Sequence, residues 1–181
     1  MTKHSHRIVF LVISMLLAAA AQLASKDPAK TGAKLTAPSI FNPNLYPANA
    51  DAKADIKAAL AQAAKEKKNV LLDFGAMWCI DCHVLDKAFE EPGTKQLWDS
   101  NYVLVHIDVG RMDKNVDVAK KYGVVLTKGI PALAVVTPKG KVLVSHKAGE
   151  FQAARRMTMA DVTAFLEKWK PRSNGKKRVE P

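Results

Sequence analysis

Cys79 and Cys82 are the only two cysteines in the 181-residue chain, and they stand in the stretch Trp78-Cys79-Ile80-Asp81-Cys82-His83. Their spacing serves two chemistries. C-x-x-C-H attaches a c-type haem through two thioethers and an axial imidazole, and C-x-x-C opening a helix forms a redox dithiol. A haem would take His83 as one axial ligand, with Met112, Met157, Met159, His106 or His146 available as the other. A dithiol needs one sulfur held as the thiolate, because a free cysteine with a pKa near ~8.5 is mostly protonated at neutral pH. With Cys79 at the first turn of a helix that follows Trp78, unpaired backbone N–H groups and the positive end of the helix dipole favour that anion. Cys82, one turn on and deeper, is placed to close the disulfide. The spacing therefore makes Cys79 the attacking thiol and Cys82 the resolving one.

Other residues supply the rest of such a site. Asp73 interrupts the apolar run Val70–Gly75, and a buried carboxylate is costly unless paired or protonated. It is either a strand-edge group bonded to backbone or a proton shuttle for Cys82. Ile130-Pro131 is a candidate cis bond, which would expose backbone groups to an extended peptide. Asp81 places negative charge beside Cys79 and opposes its thiolate, whereas a protonated His83, four residues from Cys79, pushes the other way. Zinc is poorly served, because Cys82 and His83 are adjacent and no second pair of ligands follows. Met157 and Met159 read as core or loop residues rather than a copper site. An inert structural disulfide also fits the spacing, but a bridge closing so short a loop gives little stabilisation.

The elements that must position these residues follow from periodicity. A chain of this length with 48% hydrophobic residues builds one core with tails. Lys3 and Arg7 precede an apolar run from Ile8 to Ala21 with an Ala19-x-Ala21 pattern, which reads as an export signal over 1–21 and is too short to span a bilayer. No cysteine lies near that pattern to carry a lipid. Export would put the two thiols in an oxidising compartment. Residues 22–50 contain Pro28, Pro38, Pro43 and Pro47 and read as an extended linker, with Ile40, Phe41, Leu45 and Tyr46 able to dock on the body. From the N-cap Asp51, an amphipathic helix carries Ile56, Leu60 and Ala63 on one face. Strands are expected over Val70–Gly75 and Tyr102–Asp108, and helices over Cys79 to about Glu90, where Pro92 and Gly93 stop the chain, and over Val116–Tyr122. Ala132–Val136 and Val142–His146 form a hairpin, and Val162, Phe165, Leu166 and Trp169 mark a last helix that starts at Asp161. This order predicts an α/β fold, a three-layer α/β/α sandwich with a mixed central sheet over 51–170. The net charge of +11 is scattered as solvated basic surface, with Lys176, Lys177 and Arg178 in a disordered tail over 171–181, so no nucleic-acid partner is expected.

Taken in order, VLLDFGAMWCIDC, GIPALAVVTPKGKV and AGE resemble the thioredoxin-fold thiol:disulfide oxidoreductases over about Asp51–Lys170. The continuation CHVLDKAFEEPGTKQLW is most similar to the C-terminal domain of DsbD-type thiol carriers, where a short helix precedes the next strand. By that resemblance Asp73 is the family's buried acid, Pro131 its cis-proline, and Cys79 and Cys82 its attacking and resolving thiols, with substrate lying against Trp78, Ile130 and Pro131. Two departures stand out: Gly75 replaces an aromatic residue, and Ile80-Asp81 replaces Gly-Pro between the cysteines. The resemblance implies an exported enzyme without cofactor or metal, acting on protein thiols and disulfides and recharged by a membrane thiol reductant carrier. A monomer without a stable membrane anchor is expected, periplasmic in a Gram-negative source and otherwise secreted. The alternatives are a c-type haem protein and a secreted binding domain with an inert disulfide.

Overall fold

A computed structural model describes residues 41–172. The export signal over 1–21, residues 22–40 of the linker and residues 173–181 of the basic tail lie outside the described residues. Asp51 caps the first helix, α1 (Ala52–Glu66), by accepting the backbone N–H groups of Lys53 and Ala54 at 3.0 Å. Its buried face is Ala52, Ile56, Ala59 and Ala63, mostly small side chains that let the helix lie close to the sheet, while Leu60 packs at the margin.

Strand β1 (Asn69–Gly75) is buried along its whole length, because it runs between two other strands and under helices on both faces. Strand β2 (Tyr102–Asp108) pairs with it in parallel, and β3 (Ala132–Val136) pairs on its other side antiparallel. Strand β4 (Val142–Ser145) closes the hairpin, giving the order β2-β1-β3-β4. The sheet is mixed and lies between two helix-covered cores, the three-layer α/β/α sandwich expected from the order of elements. Alternation along β1 sends Val70, Leu72 and Phe74 into one core with α1 and α4 (Val116–Lys121), and Leu71 into the other with α2 (Ile80–Glu90) and α5 (Met159–Trp169). Asp73 and Gly75 share the face of Leu71.

Pro92 follows the end of α2, as the pattern expects, and sits at the first position of the short helix implied by the resemblance, α3 (Pro92–Asn101), where its missing N–H costs nothing. One boundary differs from expectation: the last helix starts at Met159, capped by Thr158, and Asp161 is the third-position partner of that capping box. The described part of the linker is not a free connector. Leu45 and Tyr46 are 2% and 1% exposed, because their apolar bodies dock into the core over Gly75 and Cys82.

The hairpin ends on a buried histidine. His146 Nδ1 accepts the Leu133 N–H at 3.1 Å, and its ring packs against Phe151 and Phe165. Burial, opposed by the charge of Glu150, lowers its pKa to about 4. The unfolded chain therefore takes up this proton near pH 6.5 and the folded chain only near 4, so stability present above 6.5 is lost as pH falls through that window. The loss expected is about 3 kcal/mol. Urea unfolding at pH 7 and pH 4 should show that component in the wild type and not in His146→Asn, whose amide oxygen keeps an acceptor for Leu133.

Candidate active site

The sequence Trp78-Cys79 arrives at the carboxyl end of β1, where the chain turns into α2. Cys79 is the N-cap rather than the first helical residue: its backbone is extended, and its sulfur accepts the Cys82 N–H at 3.1 Å. A thiolate there would share the Cys82 N–H with the Cys79 carbonyl and meet the positive end of the dipole. The two cysteines are joined as a disulfide, with Cys79 5% exposed and Cys82 fully buried. Cys79 Sγ lies 3.6 Å from the carbonyl oxygen of Ile130, and the Ile130-Pro131 bond is cis. Trp78 is half-exposed and tied down by its indole N–H, which donates to the Gly110 carbonyl at 2.8 Å. Trp78, Ile80, Met112, Gly129, Ile130 and Arg155 border a shallow groove beside Cys79. Gly149 lets the turn after the hairpin approach this loop, since a side chain there would run into the Lys128 carbonyl.

Asp81 and His83 are not where the motif alone put them. The Asp81 carboxylate turns away from solvent and is chelated by Arg155: Oδ1 accepts the Arg155 N–H at 2.9 Å and Nε–H at 3.2 Å, and Oδ2 accepts Nη2–H at 2.8 Å. Its charge is compensated, so the open negative charge expected beside Cys79 is absent. His83 is buried; its Nδ1 accepts the Asn42 N–H at 3.3 Å and its Nε2–H donates to the Met77 carbonyl at 2.9 Å. That arrangement fits a neutral ring. With Phe41 against its ring, His83 anchors the incoming segment.

Asp73 is fully buried and is not bonded to backbone. Its Oδ2 accepts the Tyr46 hydroxyl at 2.7 Å and lies 2.9 Å from His106 Nδ1, while Oδ1 has no hydrogen-bond partner among the described residues. Burial works against a charged His106, but the hydrogen bond and charge of Asp73 outweigh it and raise its pKa above the usual value. Burial and then the Asp73 charge push the Tyr46 hydroxyl well above its usual value. Sequence reasoning found Asp73 but not Tyr46 or His106 as its partners. The signal for His106 was available, since a register that aligns β2 with β1 sets it opposite Asp73. That for Tyr46 was Gly75: a side chain at 75 would collide with the Tyr46 hydroxyl and meet Cys82 Sγ at 2.9 Å. Tyrosine from residues 41–50 fills the space an aromatic at 75 would take.

Residues 51–138 match the thioredoxin-like family. The solved disulphide isomerase from Xylella fastidiosa Temecula1 is 38% identical with a TM-score of 0.64, over 68% of this chain and 94% of that one. The DsbD C-terminal domain from Neisseria meningitidis, in the reduced form, is 26% identical with a TM-score of 0.49, over 65% of this chain and 96% of that one. Protein disulfide isomerase-like 2-2 of Oryza sativa subsp. japonica is 36% identical over 85 residues, which are 47% of this chain and 20% of that protein. The chain spans about a fifth of the length of the plant relatives it matches.

Proposed function

The chain belongs to the thioredoxin-like family of thiol:disulfide oxidoreductases, and on that premise we propose that it is exported and reduces or exchanges disulfides in extracytoplasmic proteins. The observation that carries the reading is the pairing of the N-cap sulfur of Cys79, beside the Ile130 loop, with a wholly buried Cys82. Cys79 thiolate attacks one sulfur of a substrate disulfide, forming a mixed disulfide and expelling the other substrate sulfur as a thiolate. Cys82 loses its proton and attacks Cys79 Sγ, which closes the Cys79–Cys82 bond and releases the second substrate thiolate. Two electrons pass to the substrate. Asp73 is the buried acceptor available to the resolving proton. Trp78, Ile130 and Pro131 border the groove side or the loop beside Cys79, where the substrate backbone would lie.

Repeated turnover needs a dithiol donor, and a membrane thiol carrier is the class that reaches an exported protein. Export itself rests on Lys3 and Arg7 ahead of the apolar run to Ala21. Compensation of Asp81 by Arg155 removes one reason for a strongly reducing couple, yet among the described residues Arg155 is the one cation lining the groove beside Cys79 and it is paired with Asp81, so no cationic cluster favours a strong oxidant. The direction proposed is therefore donor or isomerase. The test is to recover the protein from its producing cells and titrate the Cys79/Cys82 couple against glutathione. An extracytoplasmic chain starting beyond Ala21, with a potential at or below about −180 mV, is expected. A cytoplasmic, unprocessed chain, or a potential near about −120 mV, would overturn the corresponding part of the reading.

A further inference from the structure

Between the buried acid and the buried thiol stands a group that belongs to neither β1 nor α2. Side chains at 73 and 75 share one face of β1, about 7 Å apart along the strand. The space over Gly75 is occupied by the Tyr46 hydroxyl and bounded by Cys82 Sγ. The same hydroxyl donates to Asp73 Oδ2 at 2.7 Å. The tyrosine oxygen and Cys82 Sγ thus approach the same point over Gly75, with Asp73 bonded to the oxygen's far side.

We propose that Tyr46 relays the resolving proton: as the Cys82 S–H proton moves to the Tyr46 oxygen, the tyrosine's own proton moves to Asp73, and Cys82 is left as the attacking thiolate. This rests on the resolving role given to Cys82 above. The balance is one proton lost by the thiol and one gained by the carboxylate, with the phenol unchanged at the end. A tyrosinate is never formed, in keeping with a hydroxyl that burial and the Asp73 charge make hard to ionise. His106 holds the same Asp73 oxygen from β2 and packs edge-on against the Tyr46 ring, fixing both partners. The charged groups that bear on the phenol are Asp73 from β1, Asp86 from α2 and Asp108 at the end of β2, together with His106 when protonated. The segment carrying Tyr46 is itself secured, because Asn42 donates its backbone N–H to His83 and its side-chain N–H to Asp86. Residues that look like a tether to the domain thus complete its site.

The experiment mixes the reduced protein with substoichiometric 5,5′-dithiobis(2-nitrobenzoate) and follows two releases of aryl thiolate. The first reports attack by Cys79, and the second reports Cys82 displacing the aryl group from Cys79. Tyr46→Phe keeps the ring and should leave the first phase within about twofold while slowing the second about tenfold or more at neutral pH. The deficit should shrink toward alkaline pH, where hydroxide takes the thiol proton directly. An unchanged second phase, or equal slowing of both phases at every pH, would overturn the relay, the latter marking a packing role. On the wild type alone, the second-phase rate in mixed light and heavy water should bow downward, as two protons in motion require, and a straight line would contradict it. Failure of the wild type to release a second equivalent would instead remove the resolving role of Cys82, and the relay with it.

Discussion

Replacing Cys82 with alanine is expected to turn Cys79 into a trap: mixed disulfides with substrate proteins accumulate, and multiple-turnover reduction falls by at least about 10³-fold. The cause is the loss of an intramolecular nucleophile. Cys82 sits one helical turn from Cys79, already bonded to it in this state, whereas a thiol from solution must find a sulfur that is 5% exposed. Well-oriented intramolecular groups reach effective concentrations far above any cellular thiol. The complexes should appear on non-reducing gels, vanish with dithiothreitol and disappear in Cys79→Ser/Cys82→Ala. A Cys82→Ala protein that turns over normally, or forms no complexes with proteins its wild type reduces, would remove the division of labour between the two sulfurs.

Gly75→Ala should cost about 2–3 kcal/mol of stability, far beyond an ordinary alanine-for-glycine change in a strand. The added methyl would overlap the Tyr46 phenol and press on Cys82 Sγ, and neither has room to move: Tyr46 is 1% exposed and Cys82 0%. Displacing the phenol also breaks its bond to Asp73, leaving a second oxygen of that buried carboxylate less well satisfied. The effect must therefore couple to Tyr46. In urea unfolding, Gly75→Ala/Tyr46→Ala should lose clearly less than the sum of the two single losses, because the collision with the phenol no longer exists and only the contact with Cys82 Sγ remains. Simple additivity of the two losses would contradict the account of Gly75 as a position emptied for the tyrosine.

These two positions mark what a sequence of this kind discloses. Cys79, Cys82, Asp73, Ile130 and Pro131 were legible because each is fixed by local pattern: a thiol pair one helical turn apart, an acid in an apolar strand, a proline before a strand. The mixed sheet followed from alternation and from one hairpin. The partners were not legible, because they are set by tertiary proximity across long stretches of chain. Tyr46 meets Asp73 across 27 residues, and Arg155 meets Asp81 across 74. Asp81 read as an open charge because no local spacing points to Arg155, and His83 read as a neighbour of Cys79 because its bonds to Asn42 and Met77 are invisible in the motif. Proline content pointed to an extended segment over residues 41–50, and the apolar side chains that the sequence left free to dock, Leu45 and Tyr46, are the ones buried. Pro92 ends one helix and begins the next, a pairing that the resemblance implied and periodicity alone did not show.

A two-electron exchange between Cys79–Cys82 and a protein disulfide is the central chemistry proposed for this protein, and a single turnover tests it most directly. The fully reduced chain is mixed with one equivalent of a disulfide-bonded protein, quenched in acid, and the thiols of each partner are alkylated and counted by mass. One substrate disulfide opened for every Cys79–Cys82 disulfide formed is the predicted result. Substrate left oxidised while Cys79 and Cys82 remain thiols would contradict it.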